Sequence, residues 1–326
     1  MIRFEIPSSE YERGERIKQM DDQLENFLNS DGFHRYLEIL GICYSRSRKR
    51  LLEELRKFDT RNKGNGQAAE AQYARTLETL EDNKDELFHI FEELGWISIN
   101  ETIMDNPDHL LILGGSFSAT YDRTAAAKRY YGSSLKSINA LSCYRPISPN
   151  EITKAKENGL LKTFNSNKET EFGVFYDAFV DLFDLGKAVF NDAFVSDRNL
   201  NKLNNVRTIL GSDGKLYRIY ASPASENNSR PSTYDTYIHF LKDNNQEEDM
   251  KLLALTNNRY CNMQALQLGC AVIQMSQVNH RIDADVVGIS TGSDLATIKE
   301  YSPSQYSNDV IGLVDWIVKF KEAFVW

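Results

Sequence analysis

The sequence predicts an α/β protein with a Rossmann-like, mostly parallel sheet covered by helices on both faces, preceded by a helical region. Two observations support this prediction. Residues 1 to about 100 contain no convincing strand pattern and repeat apolar residues at helical spacing. From residue 108 onward, short apolar runs alternate with helical patterns, which is typical of βαβ units. We therefore divide the chain into a helical N-terminal region, 1–104, and a Rossmann-like domain, 105–326.

Three amphipathic helical segments are predicted in the N-terminal region. The first is YERGERIKQMDDQLENFLNS, with Ser8 or Ser9 as its N-terminal cap and Glu12 near the third helical position. The second is GFHRYLEILGICYSRSRKRLLEELRKF, and the third is AAEAQYARTLETLEDNKDELFHIFEELGW. The polar, glycine-containing stretch RNKGNGQ separates these two. Together the segments are expected to form a helical layer or cap.

Apolar runs in the second part of the chain predict the strands of the sheet. They are HLLILG, SINALS, KLYRIYAS, KLLALT, CAVIQM and ADVVGI. The stretch VRTILGSDGKLYRIY places Ser-Asp-Gly between two such runs and predicts a β-hairpin, and therefore one antiparallel edge strand. The C-terminal SNDVIGLVDWIVKFKEAF predicts an amphipathic helix. Its residues expected on the sheet are Val310, Leu313, Val314, Ile317 and Val318.

Composition and spacing argue against several classes of protein. A net charge of -9 and a pI near 5.2 disfavour sequence-independent nucleic-acid binding, which needs clustered positive charge. No apolar run approaches the roughly 18 residues that span a bilayer, and the N-terminus is charged where a secretory signal is apolar. We therefore expect a cytoplasmic protein without a membrane partner. The histidine and cysteine spacings match no metal motif, and three of the four cysteines lie beside apolar segments where burial is expected.

The glycine pair in LLILGGSFSATYDR is the first candidate for a ligand site. Ligands of open parallel sheets bind outside the carboxyl ends of the strands, where Gly114 and Gly115 follow the first predicted strand. Glycines allow a ligand to approach the backbone closely, and the helix after them offers unpaired N–H groups to an anion. The segment matches neither GxGxxG nor GxxxxGK[ST], so it does not predict a dinucleotide or triphosphate loop. A tight turn without a ligand is the alternative.

Charged residues near the predicted strand ends suggest what would bind there. Arg123 and Arg145 follow the first two strands, and we expect both to contact one anion beside the glycine pair. Salt bridges within the protein are the alternative for both. Because an arginine held for binding is usually outside the apolar core, we expect its loss to change folding little. Glu151 and Glu171 each begin a predicted helix, and either is a candidate general acid or base or a complement to the helix dipole.

The order of these segments resembles the YdcF/ElyC-like family of uncharacterised bacterial proteins. The resemblance covers LLILGG, an arginine-bearing helix, ALSCYRPISPNE, an ETEF helix, SPASENNSRPSTYDTYIHFL and LLALTNNRYCNMQALQLG, over roughly residues 108–290. It implies a Rossmann-like fold with a nucleotide-like ligand at the strand ends, for which S-adenosylmethionine is one candidate. The positions that match the family pattern are Gly114, Gly115, Arg123, Arg145, Glu151, Arg230, Thr233, Thr256, Tyr260 and Gln264. The absence of a predicted transmembrane segment argues against an envelope role.

The sequence is compatible with two functions. The first is an enzyme acting on a nucleotide or another phosphorylated small molecule, with arginines and backbone N–H groups stabilising anionic charge. In this enzyme Glu151 or Glu171 would serve as the acid or base. The second is a binding or sensor module that uses the same site for a nucleotide- or S-adenosylmethionine-type ligand without chemistry. Both predict a small anionic molecule as the partner, and no signal for an oligomeric state is found.

Overall fold

The computed structural model describes residues 1–60, 78–97, 102, 104–157, 170–185, 204–225, 230–244, 249–276, 281–289 and 301–326. Over these residues the protein is α/β, with a six-stranded sheet. The strands are β1 (His109–Leu113), β2 (Ser137–Ser142), β3 (Asn205–Leu210), β4 (Leu216–Ala221), β5 (Met250–Asn257) and β6 (Ile282–Ile289). Their order across the sheet is β3-β4-β2-β1-β5-β6. Neighbouring strands are parallel except β3 and β4, so the prediction of a mostly parallel sheet is confirmed.

Helices precede and connect the strands. They are α1 (Arg13–Leu28), α2 (Asp31–Ile39), α3 (Arg48–Arg56), α4 (Glu78–Asp82), α5 (Lys84–Glu93), α6 (Phe117–Ala127), α7 (Pro149–Glu157), α8 (Glu171–Phe183), α9 (Thr233–Asp243), α10 (Cys261–Met275) and α11 (Pro303–Phe320). The second predicted N-terminal segment therefore forms two helices, α2 and α3. The stretch RNKGNGQ and the first ten residues of the third segment lie outside the described residues.

The predicted hairpin is confirmed. Strand β3 pairs antiparallel with β4, with Asn205 opposite Ala221 and Leu210 opposite Leu216, and β3 lies at the edge of the sheet. In the turn between them the backbone N–H of Gly211 donates to the carbonyl of Lys215 at 2.9 Å. Gly214 has a φ of +77°, a conformation that glycine adopts without strain. This turn reverses the chain tightly enough to place one antiparallel strand beside the parallel ones.

Two predictions about element boundaries are wrong. CAVIQM is the end of helix α10 and not a strand; its first four residues are apolar and all buried, and such a short run does not distinguish a helix from a strand. Helix α1 begins at Arg13 after Glu12, whose side chain makes no capping hydrogen bond. Ser9 is unavailable as a cap because its backbone N–H and its hydroxyl both donate to Oδ1 of Asp283, at 3.0 and 2.7 Å.

The two faces of the sheet bury different hydrophobic clusters. Along β1, Leu111 and Leu113 belong to the cluster on one face, and Leu110 and Ile112 belong to the cluster on the other. Helices α6 and α8 cover the second face, packing on β1 and on β4 respectively. Helices α9, α10 and α11 lie with the first cluster. The five residues of the C-terminal helix that were predicted to face the sheet are all buried in this cluster, where α11 packs on α3 and α10; their contact with the sheet itself stays a prediction.

The N-terminal helices pack into the first cluster as well. Buried residues such as Leu24, Phe33, Leu51 and Phe91 belong to the same cluster as residues of α10 and α11. The helical region before residue 104 and the α/β region after it therefore share one core. The division of the chain into separately folding parts stays a prediction. No helix in the described ranges is both long and apolar enough to span a membrane.

Strand β1 marks the point where the order of the sheet reverses. The chain continues from β1 to β2 on one side, whereas β5 pairs with β1 on the other side. The helices that follow β1 and β5 therefore diverge to opposite faces, and in open α/β sheets such divergence leaves a crevice outside the carboxyl ends of the strands. Gly114 and Gly115 follow β1 at this crevice, and Asn258, Arg259 and Tyr260 follow β5.

Candidate functional site

The turn after β1 is shaped by a carboxylate of the protein itself. The backbone N–H of Gly114 donates to the carbonyl of Leu141 in β2 at 2.9 Å. A Cβ atom on Gly114 would lie 2.0 Å from Oε1 of Glu171 and 3.1 Å from the Leu141 carbonyl oxygen. A side chain at position 114 would therefore fit only if the Glu171 carboxylate moved, so glycine serves here for close approach and not for a left-handed φ. The group that approaches Gly114 is the Glu171 carboxylate.

Arg123 joins the carboxyl ends of β1 and β5. It lies in α6, whose N-terminal cap is Ser116, and it is only 3 % exposed. Its Nη1 donates to the carbonyl oxygens of Leu113, at 2.7 Å, and Gly114, and its Nε donates to Oδ1 of Asn257 at 2.8 Å. Arg123 therefore bridges the two strands at the point where the strand order reverses. Its donors are directed at the backbone of the glycine turn, so the expectation that its loss changes folding little does not fit this buried arginine.

Arg145 contacts the same turn from the β2 side. Its Nη2 donates to the carbonyl of Gly115 at 2.7 Å, and its Nε donates to Oε2 of Glu171 at 3.2 Å. Nη1 and Nη2 donate to Oε2 and Oε1 of Glu151 at 3.1 and 3.2 Å. The structure therefore brings together Gly114, Gly115, Arg123, Arg145, Glu151 and Glu171, and we call these six residues the rim cluster. That the two arginines bind a ligand anion stays a prediction.

Glu171 is the most buried carboxyl group of the rim cluster. It is the first residue of α8, where the Thr170 hydroxyl accepts from the backbone N–H of Gly173 at 3.3 Å and caps the helix. The residue is 6 % exposed. Burial raises the pKa of Glu171, and the nearby Arg145, Arg123 and Arg230 offset only part of this effect. A buried carboxyl group with a raised pKa beside arginines is a candidate acid or base.

Glu151 has the opposite electrostatic character. Burial raises the pKa of its carboxyl group, but hydrogen bonds with Arg145 and Ser148 outweigh burial and leave the pKa below its ordinary value. Ser148 and Glu151 form the reciprocal contacts of a capping box at the start of α7, at 3.0 and 3.3 Å. The backbone N–H of Phe117 at the start of α6 also donates to Oε1 of Glu151, at 3.3 Å. Glu151 therefore joins the first turns of two helices.

The other predicted site residues are not members of the rim cluster, although Arg230 is near Glu171 and Tyr260 is near Arg123. Arg230 is close enough to affect the pKa of Glu171 and of Cys143. Thr233 begins α9, and its hydroxyl oxygen lies 3.5 Å from Nε2 of Gln264 in α10, so these two residues form a separate pair. Tyr260 lies beside the Arg259 guanidinium, 4.7 Å from the ring centre. Thr256 is buried within β5.

A buried ion pair beside the rim was not predicted. Arg259 and Asp309 form an ion pair, with Nε 2.8 Å from Oδ2 and Nη2 donating to Oδ1 at 3.1 Å. Their side chains are almost fully buried. The Arg259 guanidinium also lies 4.1 Å from the ring centre of Tyr301. No sequence signal links positions 50 residues apart. By contrast, the capping role of Glu151 had a signal, because Ser148 and Glu151 have the S-x-x-E spacing.

The cysteines lie in the environments that the sequence predicts. Cys143, Cys261 and Cys270 are buried free thiols, as predicted, and Cys43 is exposed. Within the ranges that the structure describes, no group of three histidine, cysteine, aspartate or glutamate side chains is placed to hold a metal ion. Ser290, Thr291 and Gly292, which follow β6, lie outside those ranges.

Comparison of the chain with protein-family models, with curated proteins and with solved structures found no match. The resemblance to the YdcF/ElyC-like family therefore stays a prediction. Fold and site together define an α/β protein with an arginine–carboxylate cluster at the carboxyl edge of its sheet.

Proposed function

We propose that the protein has a Rossmann-like sheet and binds a small anionic molecule, nucleotide-like or phosphorylated, at the rim cluster, where it acts as an enzyme. One observation carries the proposal: the buried Glu171 carboxyl group contacts Arg145 at the reversal of strand order. Such a reversal is where open α/β sheets bind ligands. A titratable group with a perturbed pKa at that place is typical of a functional site.

The two arginines have different roles in this proposal. The Arg145 side chain is 17 % exposed, and Gly115 and Glu171 fix its orientation, so it is the group that contacts the ligand anion. Arg123 is almost fully buried and donates to protein acceptors, so it shapes the glycine turn on which the ligand lies. This division assigns anion binding mainly to one arginine.

Glu171 is the proposed general acid or base. A carboxyl group transfers protons most effectively when its pKa lies near the working pH, and the pKa of Glu171 is shifted upward. The pKa of Glu151 is shifted downward, which favours a permanently charged partner for Arg145. The chemical class is proton transfer coupled to reaction of an anionic substrate, whose charge Arg145 stabilises.

The proposal specifies the chemical class of the ligand and not one compound. A nucleotide, S-adenosylmethionine and a sugar phosphate are the candidates. Arg230, Thr233, Tyr260 and Gln264 would supply further contacts around the ligand. Membership of the YdcF/ElyC-like family is part of the same proposal, since that resemblance implies these positions. The buried Thr256 would act by packing beneath them.

The first experiment is a thermal-shift screen with nucleotides, S-adenosylmethionine and sugar phosphates, followed by mass analysis for product. Arg145→Ala should weaken an anionic ligand by about 10-fold to 150-fold, the equivalent of losing about 1.5 to 3 kcal/mol. Arg129→Ala is the control, because Arg129 is exposed after the end of α6. Unchanged affinity in Arg145→Ala would refute the proposed site.

Turnover distinguishes the enzyme from the sensor. Glu171→Gln keeps the shape that fits against Gly114 but cannot accept or release a proton at neutral pH, so it should bind ligand and form no product. The observation that favours the sensor is the pairing of Arg145 with two carboxylates, which fixes both of them. Ligand binding by the wild-type protein without any product would support the sensor.

A further inference from the structure

The contact between Glu151 and Arg145 has the geometry of a ligand contact. The two oxygens of the Glu151 carboxylate accept from the two terminal nitrogens of Arg145 at 3.1 and 3.2 Å. This is the two-pronged arrangement by which arginine binds a carboxylate or a phosphate. Both side chains are partly accessible, at 17 % and 16 % exposure. A carboxylate of the chain thus occupies the guanidinium edge that a ligand anion would use.

The other contacts of Arg145 do not depend on Glu151. Its Nε donates to Glu171, and its Nη2 donates to the Gly115 carbonyl. These contacts hold the guanidinium in place when Glu151 moves away. Glu151 lies in the first turn of α7, and its side chain is otherwise held by backbone N–H groups of Ser148 and Phe117. Rotation of this one side chain therefore frees two oriented donors.

We infer that Glu151 is an internal competitor, which occupies Arg145 in the ligand-free protein and is displaced by a phosphoryl group of the ligand. This inference rests on the proposed function. The exchange replaces one anion with another, so Arg145 is never left buried without a partner. It also lowers the apparent affinity by the fraction of molecules in which Glu151 is bound.

Competition selects the chemical class of the ligand. A singly charged carboxylate ligand offers Arg145 no more than Glu151 already does, and it must also lose its freedom on binding. A phosphate monoester carries close to two negative charges at neutral pH and a third acceptor oxygen. The ligand class that displaces Glu151 is therefore a phosphate monoester.

The experiment is calorimetric titration of the full chain with inorganic phosphate, for the wild type, Glu151→Asp and Glu151→Gln. Aspartate keeps the charge but is one methylene too short to keep both hydrogen bonds with Arg145. Glutamine keeps the length and the capping-box contact but removes the charge. Both variants should bind phosphate about 10-fold more tightly, which corresponds to about 1.4 kcal/mol. Glu157→Gln is the control, because it removes one exposed charge from the same helix.

The two variants separate competition from a general effect of charge. Tighter binding in Glu151→Gln alone, or in neither variant, would overturn the inference. Arg145→Ala tests the proposed function separately: if that variant loses phosphate while both Glu151 variants bind as the wild type does, the site stands and the competition does not. If Arg145→Ala still binds phosphate, the site itself is wrong. Thermal melting by circular dichroism checks folding. If one Glu151 variant does not fold, the phosphate affinity of the other is compared with that of Glu157→Gln.

Discussion

Gly114→Ala is the substitution whose effect follows most directly from the structure. The new methyl group would lie 2.0 Å from Oε1 of Glu171, 2.7 Å from its carboxyl carbon and 3.1 Å from the Leu141 carbonyl oxygen. The carbonyl belongs to a sheet strand, so the carboxylate must move, and its contact with Arg145 breaks. Because Arg145 keeps its contacts with Glu151 and the Gly115 carbonyl, the cost falls below the roughly 3 to 5 kcal/mol of a fully unpaired buried charge, at about 1 to 3 kcal/mol. We expect Gly114→Ala to lower the free energy of unfolding by that amount.

The assay is urea denaturation followed by circular dichroism and tryptophan fluorescence. Gly312→Ala is the matched control, because a Cβ atom there meets only Sδ of Met263 at an ordinary 3.6 Å. Since Gly312 is inside helix α11, alanine should stabilise the protein by about 0.5 to 1 kcal/mol. Adding Glu171→Asp to Gly114→Ala shortens the carboxylate and should recover at least about 1 kcal/mol relative to additivity. A loss below about 1 kcal/mol in Gly114→Ala, or strict additivity, would refute the close fit.

Three further predictions concern stability. Arg123→Ala should lower the free energy of unfolding by at least about 3 kcal/mol in urea, because it removes the donor from three hydrogen bonds, two of them buried, whereas the exposed Arg129→Ala should change it by less than about 0.5 kcal/mol. Because the pKa of folded Glu171 is raised above 4.5, the folded protein retains a proton that the unfolded chain releases, so stability falls as the pH rises through that interval. Glu171→Gln should therefore gain stability relative to the wild type above pH 4.5, and a flat difference between pH 4 and 8 would contradict the shift. The fragment 105–326 should unfold without a sharp transition and bind a hydrophobic dye, because it lacks the helices that complete the first cluster; a cooperative melt would instead show that it folds alone.

The sequence predicts the sheet well because its strands have strong local signals. The runs at 109–113, 137–142 and 250–257 are short, apolar and flanked by polar turns, and the hairpin has Ser-Asp-Gly between its strands. The last part of α10 lacks such a signal because residues 264–273 are all buried, so its apolar pattern is continuous and not periodic. A helical period of apolar residues arises when one face of a helix contacts solvent, and it is lost where no face does.

The residues of the rim cluster could be predicted from the sequence, but the contacts between them could not. The glycine pair and the two arginines follow strands, so a parallel sheet brings them to one edge. The fit of Glu171 against Gly114 joins positions 57 residues apart, and local pattern contains no information about it. The same holds for Ser9, whose capping role is lost to a contact with Asp283.

The buried pair of Arg259 and Asp309 has a consequence for motion at the rim. It ties the turn after β5 to helix α11, so that turn cannot shift unless the helix also releases a desolvated charge pair. Amide hydrogens in the first turns of α10 and α11 should therefore exchange with solvent in one concerted opening. On the α7 side, the Glu151 contacts with Arg145 are partly accessible to water, so we expect them to open at lower free energy. The carboxyl edge of the sheet is therefore fixed at the end of β5 and adjustable on the α7 side.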